Sequence, residues 1–157
     1  MHRQLQRAVV VLSAAVFVAA GGGAVAQATN IGNEGCTPGY WKNHTDNWEE
    51  YKPTTKVGSV WALPPELSQY AGWTFEQALA GGGGAGIDGA ARILLRAAVA
   101  AYLNAAHEGL GYPYRRFNVP FHMQVKIDAA LASLDRATML DLATTLDTAN
   151  NLGCPLN

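Results

Sequence analysis

Asp88-Gly89-Ala90-Ala91-Arg92-Ile93-Leu94-Leu95-Arg96-Ala97-Ala98-Val99-Ala100-Ala101-Tyr102-Leu103-Asn104-Ala105-Ala106-His107-Glu108-Gly109 is the most regular stretch of the chain, and its reading decides the fold. Asp88 can cap a helix that runs from Gly89 to Glu108 and stops at Gly109. Ile93, Leu94, Ala97, Ala98, Ala101, Tyr102 and Ala105 form a broad apolar face. Leu95, Val99 and Leu103 nearly close the circle, which predicts a buried central helix.

Working outward, the C-terminal side repeats the helical pattern. Gly109 to Asn118, with Tyr112-Pro113-Tyr114, reads as a loop. Pro120 suits the first turn of a helix reaching about Ser133. Asp135 caps a last helix from Arg136 to Ala149, with Met139, Leu142, Ala143 and Leu146 spaced to pack inward. On the N-terminal side Gly81-Gly82-Gly83-Gly84 breaks the pattern and reads as a hinge or mobile loop. It lacks the Lys-Ser/Thr ending of a phosphate-binding loop, which argues against a nucleotide cofactor. Thr74 followed by Gln77 is a capping box for a short helix to Ala80.

From Gln27 to about Trp73 the chain is rich in Gly, Pro, Asn and Trp without a long period, so loops and short helical turns are expected. Thr37-Pro38-Gly39-Tyr40 fits a type II turn. Thr45 can cap a short helix through Asp46 to Tyr51. No alternating strand pattern runs for more than a few residues. The predicted fold class is therefore all-α, a small helical bundle with an irregular aromatic-rich segment over it.

The N-terminus reads as an export signal. Arg3 and Arg7 precede an apolar run from Ala8 to Ala20, and Ala24-Val25-Ala26 offers a cleavage site after Ala26, with Ala28 as the second choice. The apolar run is shorter than a membrane span needs and ends in three glycines. The expected organisation is thus a signal over 1–26 and a single domain over 27–157: an irregular segment over 27–80, a Gly-rich loop over 81–87 and a helical core over 88–157.

Of the 11 Lys and Arg, Arg3 and Arg7 lie in the signal, which leaves nine against 12 Asp and Glu and a net charge near −3 with His neutral. That balance argues against nucleic acid or an anionic membrane as partner. Arg115-Arg116 is the one basic pair. The two cysteines, Cys36 and Cys154, stand near the two ends of the exported part. One disulfide is the economical reading, with free thiols or an intermolecular bond as the alternatives.

At Gly35-Cys36-Thr37-Pro38-Gly39-Tyr40-Trp41-Lys42-Asn43-His44, with Trp48 beyond, the chain resembles a group of secreted bacterial proteins that carry this cysteine-led motif. The resemblance continues through Tyr102-Leu103-Asn104-Ala105-Ala106-His107 and the Asn150-Asn151-Leu152-Gly153-Cys154 ending. It implies an exported or surface-exposed bacterial protein, sometimes a module of a larger one, and leaves the mechanism open.

Candidate chemistry is sparse. Tyr40, Trp41, Lys42, Asn43, His44 and Trp48 mix large rings with polar groups and form a candidate binding surface, while Ala-rich helices also need such rings as core bulk. His44, Asn104, His107 and Glu108 could meet as an acid–base or metal-assisted hydrolytic site if the chain ends come together. The spacing contains neither an i, i+4 histidine pair nor an HExxH pattern, and no metal site or cofactor is assigned. A Gly-x-Ser-x-Gly elbow is absent. Glu49 and Glu50 read as solvated, and an isopeptide bond from Lys42 is disfavoured outside a β-sandwich. The leading expectation is a secreted, non-catalytic domain binding an extracellular protein or a glycan. The alternatives are the small hydrolase using His44, His107 and Glu108, and a self-assembling surface subunit.

Overall fold

The computed structural model describes residues 31–118 and 122–156. The expected signal over 1–26 and Pro120 lie outside these residues. Five α-helices follow one another: α1 (Pro38–Asn43), α2 (Phe75–Ala80), α3 (Gly86–Ala106), α4 (Met123–Ala132) and α5 (Arg136–Asn150). Short 3-10 segments cover Thr45–Asn47, Val57–Ser59 and Pro65–Tyr70. Among the described residues the only β pairing is three isolated bridges, so the chain is all-α, with a disulfide tying Cys36 to Cys154.

Helix α3 is the central element, as its nearly all-round apolar pattern requires. Leu94, Leu95, Ala98, Val99, Ala101, Tyr102 and Leu103 are all buried. It packs chiefly on α5, and on α2 beyond that. Met139, Ala143 and Leu146 of α5 face this core, while Leu142 is only half-buried. Small residues let α3 and α5 approach closely, and the bulk missing from those alanines comes from the irregular segment. Trp41, Trp61, Tyr70 and Phe75 are buried there, with Trp61 stacked on Phe75 at 5.5 Å between ring centres.

Local chemistry sets the helix boundaries, and several differ from the expectation. The Thr37-Pro38-Gly39-Tyr40 stretch does not make a type II turn. Thr37 Oγ1 accepts from the Tyr40 N–H at 3.1 Å, and Pro38 opens α1 where a missing N–H costs nothing. Thr45 starts only a 3-10 turn ending at Asn47, short of Tyr51, and the cap position belongs to His44. The Thr74–Gln77 capping box forms at the start of α2.

Asp88 does not cap the central helix. That helix begins two residues earlier, at Gly86, and Asp88 Oδ1 instead accepts from Gln69 Nε2 at 2.8 Å and the Tyr70 hydroxyl at 3.1 Å. Tertiary contact with the 3-10 turn outcompetes the local cap. The far end closes at Ala106, with His107 as its cap residue rather than Glu108 in its last turn. Asp135 does cap α5, accepting from the Thr138 N–H at 2.7 Å. Gly89 has a steric reason to be glycine: a β-carbon there would fall 2.0 Å from the Gly84 carbonyl oxygen. The far end of the glycine loop is held further by Arg136, whose Nη1 donates to the Gly84 and Gly86 carbonyls at 3.1 and 2.7 Å.

Candidate functional site

The three motif segments that carry the resemblance meet around the disulfide. Gly35 pairs with Gly153 in an antiparallel bridge, Gly35 N–H donating to the Gly153 carbonyl at 3.0 Å. A β-carbon on Gly35 would lie 2.1 Å from the Ala149 carbonyl oxygen, so only glycine permits this approach. Behind the bridge Asn104 is fully buried. Its Oδ1 accepts from Cys36 N–H at 2.8 Å and Trp41 Nε1 at 3.0 Å. Its Nδ2 donates to the Cys36 carbonyl and to Asn150 Oδ1, both at 2.9 Å. Asn150 accepts in addition from the Tyr112 hydroxyl at 2.9 Å and donates to the Ala97 carbonyl at 3.0 Å. Burial drives the Tyr112 hydroxyl pKa well upward, so it remains a donor.

This arrangement is a clasp. Two buried asparagines, bonded to each other across α3 and α5, satisfy the Cys36 backbone, the indole N–H of the plugging tryptophan and the Tyr112 hydroxyl. An asparagine amide has two donor hydrogens and two acceptor lone pairs, and Asn104 spends all four within the protein. It has no capacity left for a substrate.

Of the other members of the expected catalytic set, His107 and Glu108 share Glu49 as a partner, and His44 engages Tyr40 instead. His44 is exposed, its Nδ1 lies 2.9 Å from the Tyr40 carbonyl oxygen, and its ring stacks on Tyr40 at 4.2 Å. His107 accepts from the Gly109 N–H through Nδ1 at 3.0 Å, and its Nε2 lies 3.6 Å from Glu49 Oε1. Glu108 takes part through its backbone N–H, which donates to Glu49 Oε2 at 2.7 Å. Glu49, read from the sequence as solvated, thus ties down the turn after α3. Among the described residues no three His, Cys, Asp or Glu side chains are grouped to hold a metal ion.

The motif itself splits between core and surface. Trp41 is 0 % exposed, and Trp48 is half-buried with its Nε1 donating to the Trp41 carbonyl at 3.0 Å. Tyr40 is half-buried, its hydroxyl donating to the Leu156 carbonyl at 3.2 Å and accepting from Asn47 Nδ2 at 2.7 Å. Lys42, Asn43 and His44 remain exposed.

A different surface presents the larger free ring. Phe117, in the loop after α3, is 55 % exposed. Beneath it lies an aromatic group: Tyr102 meets Phe117 edge-on at 6.5 Å, Trp61 meets Tyr102 edge-on at 4.8 Å, and Tyr51 lies 6.0 Å from Tyr102. Next to it Arg116 makes a two-pronged pair with Glu50, at 2.7 and 2.8 Å, and donates to the Tyr51 hydroxyl at 2.9 Å. Its guanidinium carbon stands 5.5 Å from the Tyr51 ring centre and 5.4 Å from that of Phe117. The Arg116 hydrogen bonds hold the Glu50 carboxyl below its ordinary pKa.

Glu50 sits at φ 61°, a left-handed conformation that costs a non-glycine residue about 1–3 kcal/mol and concentrates at functional sites. The fully buried Trp61 Nε1–H has no hydrogen-bond partner, although the indole lies close enough to the Tyr102 hydroxyl to oppose the upward pKa shift that burial imposes there. Tyr102 donates to Gln124 Oε1 at 3.2 Å, and Gln124 Nε2 donates to the Val60 carbonyl at 2.6 Å. The sequence reading missed this surface. Its only signal was Arg115-Arg116-Phe117, a basic pair running into an aromatic residue inside a loop.

Among the described residues no helix is long and apolar enough to cross a membrane. In comparison with known proteins, the chain matches no family model, no curated protein and no solved structure.

Proposed function

We propose that this chain is a secreted, non-catalytic domain that works outside the cell by binding a glycan, with Phe117 as its stacking platform. The observation that carries the reading is the 55 % exposed Phe117 ring fixed beside the Arg116–Glu50 pair. A sugar offers an apolar C–H face and a rim of hydroxyls, and an aromatic ring flanked by charged hydrogen-bonding groups complements both. The left-handed backbone of Glu50 lies at the partner of Arg116, whose guanidinium stands against the same ring. A stable protein interface would need about 1,200–2,000 Å² with an apolar centre. Among the described residues the exposed large apolar side chains are single residues from separate segments, Ile31, Ile87, Phe117, Val125 and Leu152.

The hydrolase reading needs His44, His107 and Glu108 at one centre, whereas His44 engages Tyr40 while His107 and the Glu108 backbone both engage Glu49. Export rests on the N-terminal signal pattern and agrees with a disulfide across the domain.

The test is retention of the mature protein on chitin, cellulose and peptidoglycan, together with electrophoresis through gels containing soluble polysaccharides. Binding to at least one glycan is expected, weakened about tenfold or more by Phe117→Ala, a change of about 1.4 kcal/mol or more. The melting temperature should stay close to that of the parent, because the ring is mostly in water. Failure to bind any of these glycans, or unchanged binding by Phe117→Ala, overturns the reading. Reversible assembly with rising concentration would favour the surface-subunit alternative instead.

A further inference from the structure

A second recess lies away from Phe117, between α3 and α5. Ala97 and Ala143, both buried where these helices meet, line an open recess of about 160 Å³ together with Ile93 and Leu140. Pro38, two residues beyond the disulfide-bonded Cys36, closes one side, so the recess is built onto the clasp. The Ala97 carbonyl is also fixed from behind by Asn150.

Arg96 and Asp147 line this recess from opposite helices. Among the described residues the ion pairs are those of His107 with Glu49 and Arg116 with Glu50, and neither includes Arg96 or Asp147. A guanidinium, a carboxylate and an apolar floor thus share one recess, with both charged side chains open to water.

We infer that this recess binds a small aliphatic zwitterion of the α-amino acid class. Its carboxylate meets the fork of Arg96, its ammonium meets Asp147, and its side chain rests on Ile93, Leu140 and the two alanines. Size supports that class: an engineered cavity of about 150 Å³ takes up benzene, so this recess suits roughly six to eight non-hydrogen atoms. Alanine and valine fall in that range. A guanidinium recognises a carboxylate through two parallel N–H···O bonds, whereas a cation or an anion alone would leave one wall of the pocket unmatched. This inference goes beyond glycan binding and does not depend on it.

The experiment is isothermal titration of the mature protein with L-alanine and L-valine, and with isobutylamine and isobutyrate, which each keep one of valine's charges. Saturable one-to-one binding of at least one amino acid is expected, about tenfold or more weaker for each singly charged analogue. Arg96→Gln and Asp147→Asn, both at exposed positions, should fold normally and each lose about tenfold or more in affinity. No saturable heat up to about 10 mM, or equal binding by both variants, overturns the proposal. So does a double-mutant cycle on the ligand-free protein in which Arg96 and Asp147 stabilise the fold jointly, because they would then be each other's partners.

Discussion

Asn104→Leu should destabilise the domain about as severely as removing its disulfide. Leucine has the same number of side-chain non-hydrogen atoms, so the change removes hydrogen bonds without opening a cavity, and its bulkier methyl groups add some crowding at this buried position. Cys36 N–H, the Cys36 carbonyl and Trp41 Nε1–H each lose the bond made to Asn104, whereas Asn150 Oδ1 keeps its bond from Tyr112. An orphaned buried polar group costs about 1–3 kcal/mol, and three neighbours that relax together cost less than their separate sum, so about 3–6 kcal/mol is expected. The disulfide spans a sequence separation of 118, for which chain entropy gives about 5 kcal/mol. The two effects act on different states, the asparagine on the folded protein and the bond mainly on the unfolded chain. Urea denaturation followed by tryptophan fluorescence, on Asn104→Leu and on the Cys36→Ser/Cys154→Ser pair, measures both. A loss below about 1 kcal/mol for Asn104→Leu would refute the clasp, since at least one orphaned donor should cost that much.

Three further outcomes follow from the packing and the charges. Gly89→Ala, which in an ordinary helix interior adds up to about 1 kcal/mol, should here cost about 1–3 kcal/mol by calorimetry, because the added carbon meets the Gly84 carbonyl. Trp41→Ala should cost about 3–5 kcal/mol as a buried aromatic, whereas His44→Ala, at an exposed position, should stay within about 0.5 kcal/mol. Glu50 has a folded pKa lowered by its bonds to Arg116, so its contribution is fully present above the ordinary glutamate value of about 4.3 and is lost as pH falls through the lower folded value. Thermal melts from pH 6 down to about pH 3 should show this loss in the parent and a flatter acid limb in Arg116→Met, with a small difference because Glu50 is largely solvated.

The helical architecture was legible because its signals are local. The all-round apolar run of α3, the Asp135 cap of α5 and the Thr74–Gln77 box each depend on residues within a few positions. Cys36 and Cys154 were legible because a chain with two cysteines leaves a single intramolecular pairing. What escaped depends on distant partners. Asp88 has a good cap sequence, but Gln69 and Tyr70 bind its carboxylate, and the helix starts without it. Thr37-Pro38-Gly39 suits a turn and a helix start equally, and the Thr37 bond to Tyr40 N–H decides between them. Asn104 read as one member of a polar group near His107, because nothing in sequence shows that Cys36, Trp41 and Asn150 exhaust its amide. Phe117 sits in a stretch without periodicity, so its exposure appears only once the loop is laid over Tyr102.

The central claim is that the cysteine-led motif closes the fold while recognition lies at Phe117. It is tested most directly by measuring glycan affinity and melting temperature side by side for Phe117→Ala and for Lys42→Ala/Asn43→Ala/His44→Ala, which alters the exposed part of the motif. The account predicts that Phe117→Ala loses affinity about tenfold or more at an unchanged melting temperature, while the triple variant binds as the parent does. Parent-like binding by Phe117→Ala together with lost binding by the triple variant would contradict it and place recognition on the motif.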